Sequence, residues 1–230
     1  MKKVILALVY ISSATLAIGQ GEKETTRVIV NEHVLPRFEM LADKSAYLAQ
    51  VAQRDCVAGS ELLRAAYANA FDAWIAASHL RFGPTEIDDR AYALAFWPDS
   101  RGYTPKTLKT LIRTKDPIVQ KVEDYAEVSI SARGFYALEF LIYDPVLSIE
   151  GEDQYRCDLV QTIAEDISFL AENIYMDWKS EYARSMIMPS PADRYRSEEE
   201  AVQELFKALS AGLQFTSDMR LGRPLGTFDR

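Results

Sequence analysis

Apolar residues recur every three to four positions along nearly the whole chain, and no stretch alternates strictly for long enough to predict a strand. The pattern predicts a first helix over about 28–53, with Val34, Leu35, Phe38, Leu41, Leu48 and Val51 as its apolar stripe and a kink at Pro36. A second helix is expected over about 60–82, on a face of small residues, ended by Gly83-Pro84. A short helix over 88–96 leads into the dense turn Trp97-Pro98-Asp99-Ser100-Arg101-Gly102. Thr104-Pro105 and Asp116-Pro117 each pair a capping residue with a proline at the first helical position, which predicts two further short helices. Ser129 or Ser131 then opens a helix that runs through Gly134 to Ile142 and stops at Asp144-Pro145. One long helix is expected over 153–186, broken by Met188-Pro189-Ser190-Pro191, and Ser197 caps a last helix that fades near Leu221. The fold class expected is all-α: a bundle of long antiparallel helices with an irregular loop region between residues 83 and 117.

The first residues change the picture of where the protein works. Lys2 and Lys3 precede a mostly apolar run over 5–18, and Ala17 and Gly19 are small residues at the positions before a cut at Gln20. That is the three-part layout of a secretory signal peptide, with an apolar run too short to span a hydrocarbon core of roughly 30 Å. The expectation is a signal peptide over 1–19 and one helical domain over 20–230, exported to the periplasm or carried to the outer membrane; the competing reading of the first segment is an N-terminal membrane anchor or a buried first helix. No transmembrane anchor remains after cleavage. The net charge of −8 becomes −10 once Lys2 and Lys3 are removed, and an acidic surface argues against a nucleic-acid partner. Cys56 and Cys157 are the cysteines; in an exported chain a lone pair is most simply one disulfide. The alternatives are two buried thiols or a share in a metal site, and the latter is disfavoured because no Cys or His lies nearby at ligand spacing.

Candidate chemistry concentrates in residues 131–143. Glu139 sits among Ala137, Leu138, Phe140, Leu141 and Ile142, and a carboxylate in such company is seldom buried without a partner. Gly134 is expected mid-helix, where it is costly relative to alanine, so another backbone or a ligand should approach it closely. Tyr136 precedes Glu139 by three residues and shares its helix face. The competing reading is a core helix whose glutamate is satisfied by Arg133 or Arg81.

The segment Gly134-Phe135-Tyr136-Ala137-Leu138-Glu139 resembles the Gly-x-His-x-x-Glu motif of the imelysin family, also called peptidase family M75. Residues 74–84 (Trp-Ile-Ala-Ala-Ser-His-Leu-Arg-Phe-Gly-Pro), 96–102 (Phe-Trp-Pro-Asp-Ser-Arg-Gly) and 221–230 support the same resemblance. It implies an all-α envelope protein linked to iron uptake, with the motif as its site. A small ligand, iron or another divalent metal would be the occupant, and iron-uptake proteins of the envelope would be the partners. Two departures qualify it. Tyr136 stands where the family has histidine, and a phenol with an ordinary pKa near 10 is a poor ligand for divalent metal, although phenolate suits ferric iron. Family members are also usually longer, so the resemblance implies a C-terminal half cut short at Arg230.

Three functional readings follow. The first is a binding or accessory protein in iron acquisition, with Gly134, Tyr136 and Glu139 at the site and His79, Arg81 or His33 lending contacts from neighbouring helices, which pack 8–10 Å apart. Trp97, Asp99 and Arg101 are loop candidates, either for a ligand or as turn and salt-bridge residues. The second is an M75-type metallopeptidase, against which the loss of the motif histidine and the absence of His-Glu-x-x-His both argue. The third is an interaction module that has lost the family site.

Overall fold

The structure, a computed structural model, describes residues 21–227; the expected signal peptide lies outside them. No strand occurs among the described residues. A helix over 21–29 (α1) passes through a π-helical turn, Val30–Val34, into α2, Leu35–Arg54. The widened turn falls just before Pro36, which lacks an amide hydrogen and would crowd a carbonyl of the preceding turn. The helix therefore continues through the expected kink.

Helix α3, Glu61–Ala77, is capped by Ser60, whose hydroxyl accepts the Leu63 amide at 3.1 Å. It ends five residues earlier than the sequence pattern predicts, so His79 and Arg81 follow the helix instead of riding on it. Single 3-10 turns, Gly83–Thr85 and Ile87–Asp89, lead into the short α4, Arg90–Leu94. Helix α5, Tyr103–Thr114, is capped by Asp99 rather than Thr104: its carboxylate accepts the Tyr103 and Thr104 amides, each at 2.8 Å. Asp116 caps a 3-10 turn, Pro117–Gln120, as expected, ahead of α6, Val122–Tyr125. The helix expected from Ser129 or Ser131 is a 3-10 turn, Ile130–Ala132, followed by α7, Gly134–Tyr143. Gly134 is therefore the first residue of its helix, not a mid-helix glycine.

The long helix appears as α8, Asp153–Asp177, a π-helical turn Trp178–Tyr182 and α9, Ala183–Ile187. The last, α10, Glu198–Phe215, is capped by Ser197 as the sequence predicts and runs into a π-helical turn, Thr216–Gly222.

Two compact units result. One comprises residues 37–176. Its core is built from Leu41 and Leu48 of α2, Leu63 of α3, Leu108 of α5, Phe135, Leu138 and Ile142 of α7, and Leu159, Ile163 and Ile167 of α8, all fully buried. Helices α2 and α8 run antiparallel: the Tyr175 hydroxyl donates to Glu39 at 2.8 Å, and the Gln161 amide donates to the Ala52 carbonyl at 3.2 Å. The Cys56–Cys157 disulfide joins them at the far end, with Cα atoms 5.1 Å apart, so the pairing expected from the sequence is formed. A buried ion pair fixes the start of α7 to α8. Arg133 Nε and Nη2 donate to the two oxygens of Asp166, at 2.9 and 2.6 Å.

The other unit comprises the described residues up to Pro36 and from Asp177 onward. Trp178 is fully buried in it, its ring edge-on to Tyr182, and the hydroxyls of Tyr182 and Tyr195 are hydrogen-bonded at 2.7 Å.

Candidate functional site: the aromatic face between α3 and α7

Gly134 is required by two independent features. Its φ is +74°, a region glycine occupies without steric penalty. A Cβ there would also lie 2.1 Å from the Ala93 carbonyl oxygen and 2.3 Å from that of Leu94, so the start of α7 presses directly on the end of α4. The close approach expected at this glycine is thus made by backbone.

From that fixed start, α7 presents Tyr136, Glu139 and Tyr143 at i, i+3 and i+7 on one face. Helix α3 answers with Arg64, Tyr67 and Phe71 at the same spacing. Phe71 packs edge-on against Tyr136 with ring centroids 5.6 Å apart, and Tyr67 packs edge-on against Tyr143 at 5.9 Å. The Tyr67 hydroxyl donates to the Phe135 carbonyl at 3.3 Å. Arg64 stacks over the Tyr143 ring at 4.9 Å and donates to the Ile142 carbonyl at 3.0 Å, where the negative end of the α7 dipole favours a cation.

Glu139 lies at the middle of this face. It is exposed as a residue and makes no hydrogen bond or ion pair among the described residues, yet its carboxyl is partly screened from water, which pushes its pKa above the ordinary value. Neither suggested arginine serves it: Arg133 is taken by Asp166, and Arg81 donates to Glu86 at 2.5 and 3.2 Å while lying 5.0 Å from the centre of the Tyr92 ring. The Tyr67 phenol is held neutral, chiefly by burial and then by the Glu139 charge, so Tyr67 acts as a hydrogen-bond donor.

The remaining candidates lie on other segments. His79 lies past the end of α3, eight residues beyond Phe71. His33 belongs to the other compact unit. Asp99 is the α5 cap; burial raises its pKa, but the Thr104 and Tyr103 amides outweigh that and hold it below the usual value. Arg101 donates to the Tyr103 hydroxyl at 3.2 Å, and Trp97 precedes a cis peptide to Pro98. No three His, Cys, Asp or Glu side chains come together as a metal-binding group among the described residues. The sequence reading missed Arg64, Tyr67, Phe71 and Tyr143. The signal that could have found them is the repeated three-four spacing on both helices, 64/67/71 and 136/139/143.

These features define an all-helical protein with a glutamate-bearing aromatic face at the start of a short central helix. The chain belongs to the imelysin family, Peptidase_M75, whose profile matches residues 34–230. It is similar in fold to an imelysin-like protein from Psychrobacter arcticum 273-4, with a TM-score of 0.77 at 20% identity. That match covers 90% of this chain but 64% of the other, so the chain spans just under two thirds of that relative's length. No curated protein matches it.

Proposed function

We propose that this chain is an exported imelysin-like binding protein serving iron acquisition, and that the Tyr136–Glu139–Tyr143 face of α7 takes ferric iron as its cargo. The observation that carries the reading is Glu139: a carboxylate with no ion pair among the described residues, partly screened from water on an aromatic face, at the position of the family's motif glutamate. The donors around it are hard oxygens, a carboxylate with a phenol one turn to either side. That set suits a trivalent ion rather than zinc, and phenol donors would lose their protons on binding. A three-ligand zinc site with an open position, as a hydrolase would need, is not assembled among the described residues.

Titration calorimetry of the folded protein with ferric citrate, ferrous iron, zinc and haem tests this. Heat with the ferric species, lost in Glu139→Gln, is expected. No heat with any of the four, or cleavage of insulin by the wild type but not by Glu139→Gln, would overturn it in favour of an interaction module or a peptidase respectively.

A further inference from the structure

A second site lies on the opposite side of α7 from Glu139. A cavity of about 430 Å³ opens between the α2–α3 turn, the segment after α7 and the first turns of α8. That volume falls within the range of small-molecule sites. Its floor is Leu141 and Val160, both buried, and one wall is the Cys56–Cys157 disulfide, which ties the turn to α8 and holds the cavity's shape. Val57 and Ile149 line it while remaining 65% and 73% exposed. Two large apolar side chains left in water at the mouth of an apolar cavity are an arrangement that an apolar occupant would relieve.

The polar groups at the mouth restrict the charge of that occupant. Arg156 donates through Nη1 to the carbonyls of Glu150 and Gly151, at 2.7 and 2.9 Å, and through Nη2 to Asp153. Its charge is met by Asp153, and those carbonyls are already engaged. A bound anion would have to compete with Asp153, and a bound cation would face Arg156. Ser148 brings a hydroxyl to the lining, and Gln154, whose amide nitrogen donates to Asp158 at 2.8 Å, brings its amide oxygen.

We infer that this cavity binds a small uncharged molecule with a compact apolar body carrying one hydrogen-bonding group. The site is independent of the ferric reading above. Val57 and Ile149 supply the clean test. They line the cavity and are largely exposed, so their apolar side chains can be trimmed with little effect on the core.

The experiment follows the methyl resonances of Val57, Leu141, Ile149 and Val160 while the full chain is titrated with indole, cyclohexanol, benzoate and benzylammonium. Saturable shifts with indole and cyclohexanol are expected, with the charged probes weaker by about tenfold or more. The double variant Val57→Ser/Ile149→Ser should weaken the shifts read at Leu141 and Val160 by about tenfold at an unchanged melting temperature, and Glu139→Gln should leave them intact. Absence of shifts with both neutral probes, equal binding of the charged probes, or undiminished binding in the folded double variant would overturn the proposal. Ferric binding has its own readout, so failure of either site leaves the other standing.

Discussion

Gly134 and Glu139 are five residues apart on one helix and answer to different demands. Gly134 is a packing residue: its left-handed backbone and the Ala93 and Leu94 carbonyls beneath it leave no room for a side chain. Gly134→Ala should lower unfolding free energy by about 3 kcal/mol or more, because the clash is with backbone and no rotamer relieves it. Denaturant unfolding measures this, and a loss within about 1 kcal/mol would show that the α4–α7 contact gives way easily. Glu139 is the reverse, a residue the fold does not need. Its pKa is raised by partial removal from water, so the folded state holds that proton more tightly than the unfolded chain does. Its favourable contribution is complete below the ordinary glutamate pKa, about 4.3, and is lost as pH rises through the raised folded value. Glu139→Gln should therefore melt no lower than wild type at neutral pH, and any advantage should shrink as pH falls below the carboxylate range. Melting curves from pH 3 to 8 decide it; a variant clearly less stable at neutral pH would mean that the carboxylate is held by a favourable partner. A charged group kept at a small cost in stability is the pattern of a functional residue.

At the scale of elements, the disulfide is the covalent cross-link between the turn after α2 and the start of α8. It joins residues 101 apart, and the chain-entropy account assigns such a loop about 4–5 kcal/mol. The double variant Cys56→Ser/Cys157→Ser should lose about that much in urea unfolding, whereas a loss under about 1 kcal/mol would mean that the reduced chain already holds α2 against α8. This bridge, the Asp116 and Ser197 caps and the long α8 were all legible in the sequence, because cysteine pairing, capping side chains and apolar period are local signals. What was not legible depends on contacts made from afar. The π-helical turn at Val30–Val34 resolves a proline the pattern registers only as a kink. The end of α3 at Ala77 precedes its Gly-Pro stop, because the chain turns at Ser78 and His79. The place of Gly134 is set by α4, about forty residues earlier. Likewise, motif spacing identified Tyr136 and Glu139, but the partners that build their surroundings lie on α3. The cavity beside the disulfide is assembled from separate segments and leaves no sequence signature.

For the whole molecule, family membership and an all-helical fold are shown, and the acidic composition suits a cationic cargo. No described helix is long and apolar enough to cross a membrane. On the proposed reading, Tyr136 offers a phenol where the family motif has histidine, and a phenol donor favours ferric iron over zinc. The account therefore stands on whether ferric iron meets a phenolate at this face. The most direct measurement is the visible absorption of the folded protein titrated with ferric citrate. A saturating phenolate-to-iron charge-transfer band is predicted, absent in Tyr136→Phe, weakened in Glu139→Gln, and fading as acid restores the protons. No band in folded wild-type protein, or one that persists unchanged in both variants, would contradict it.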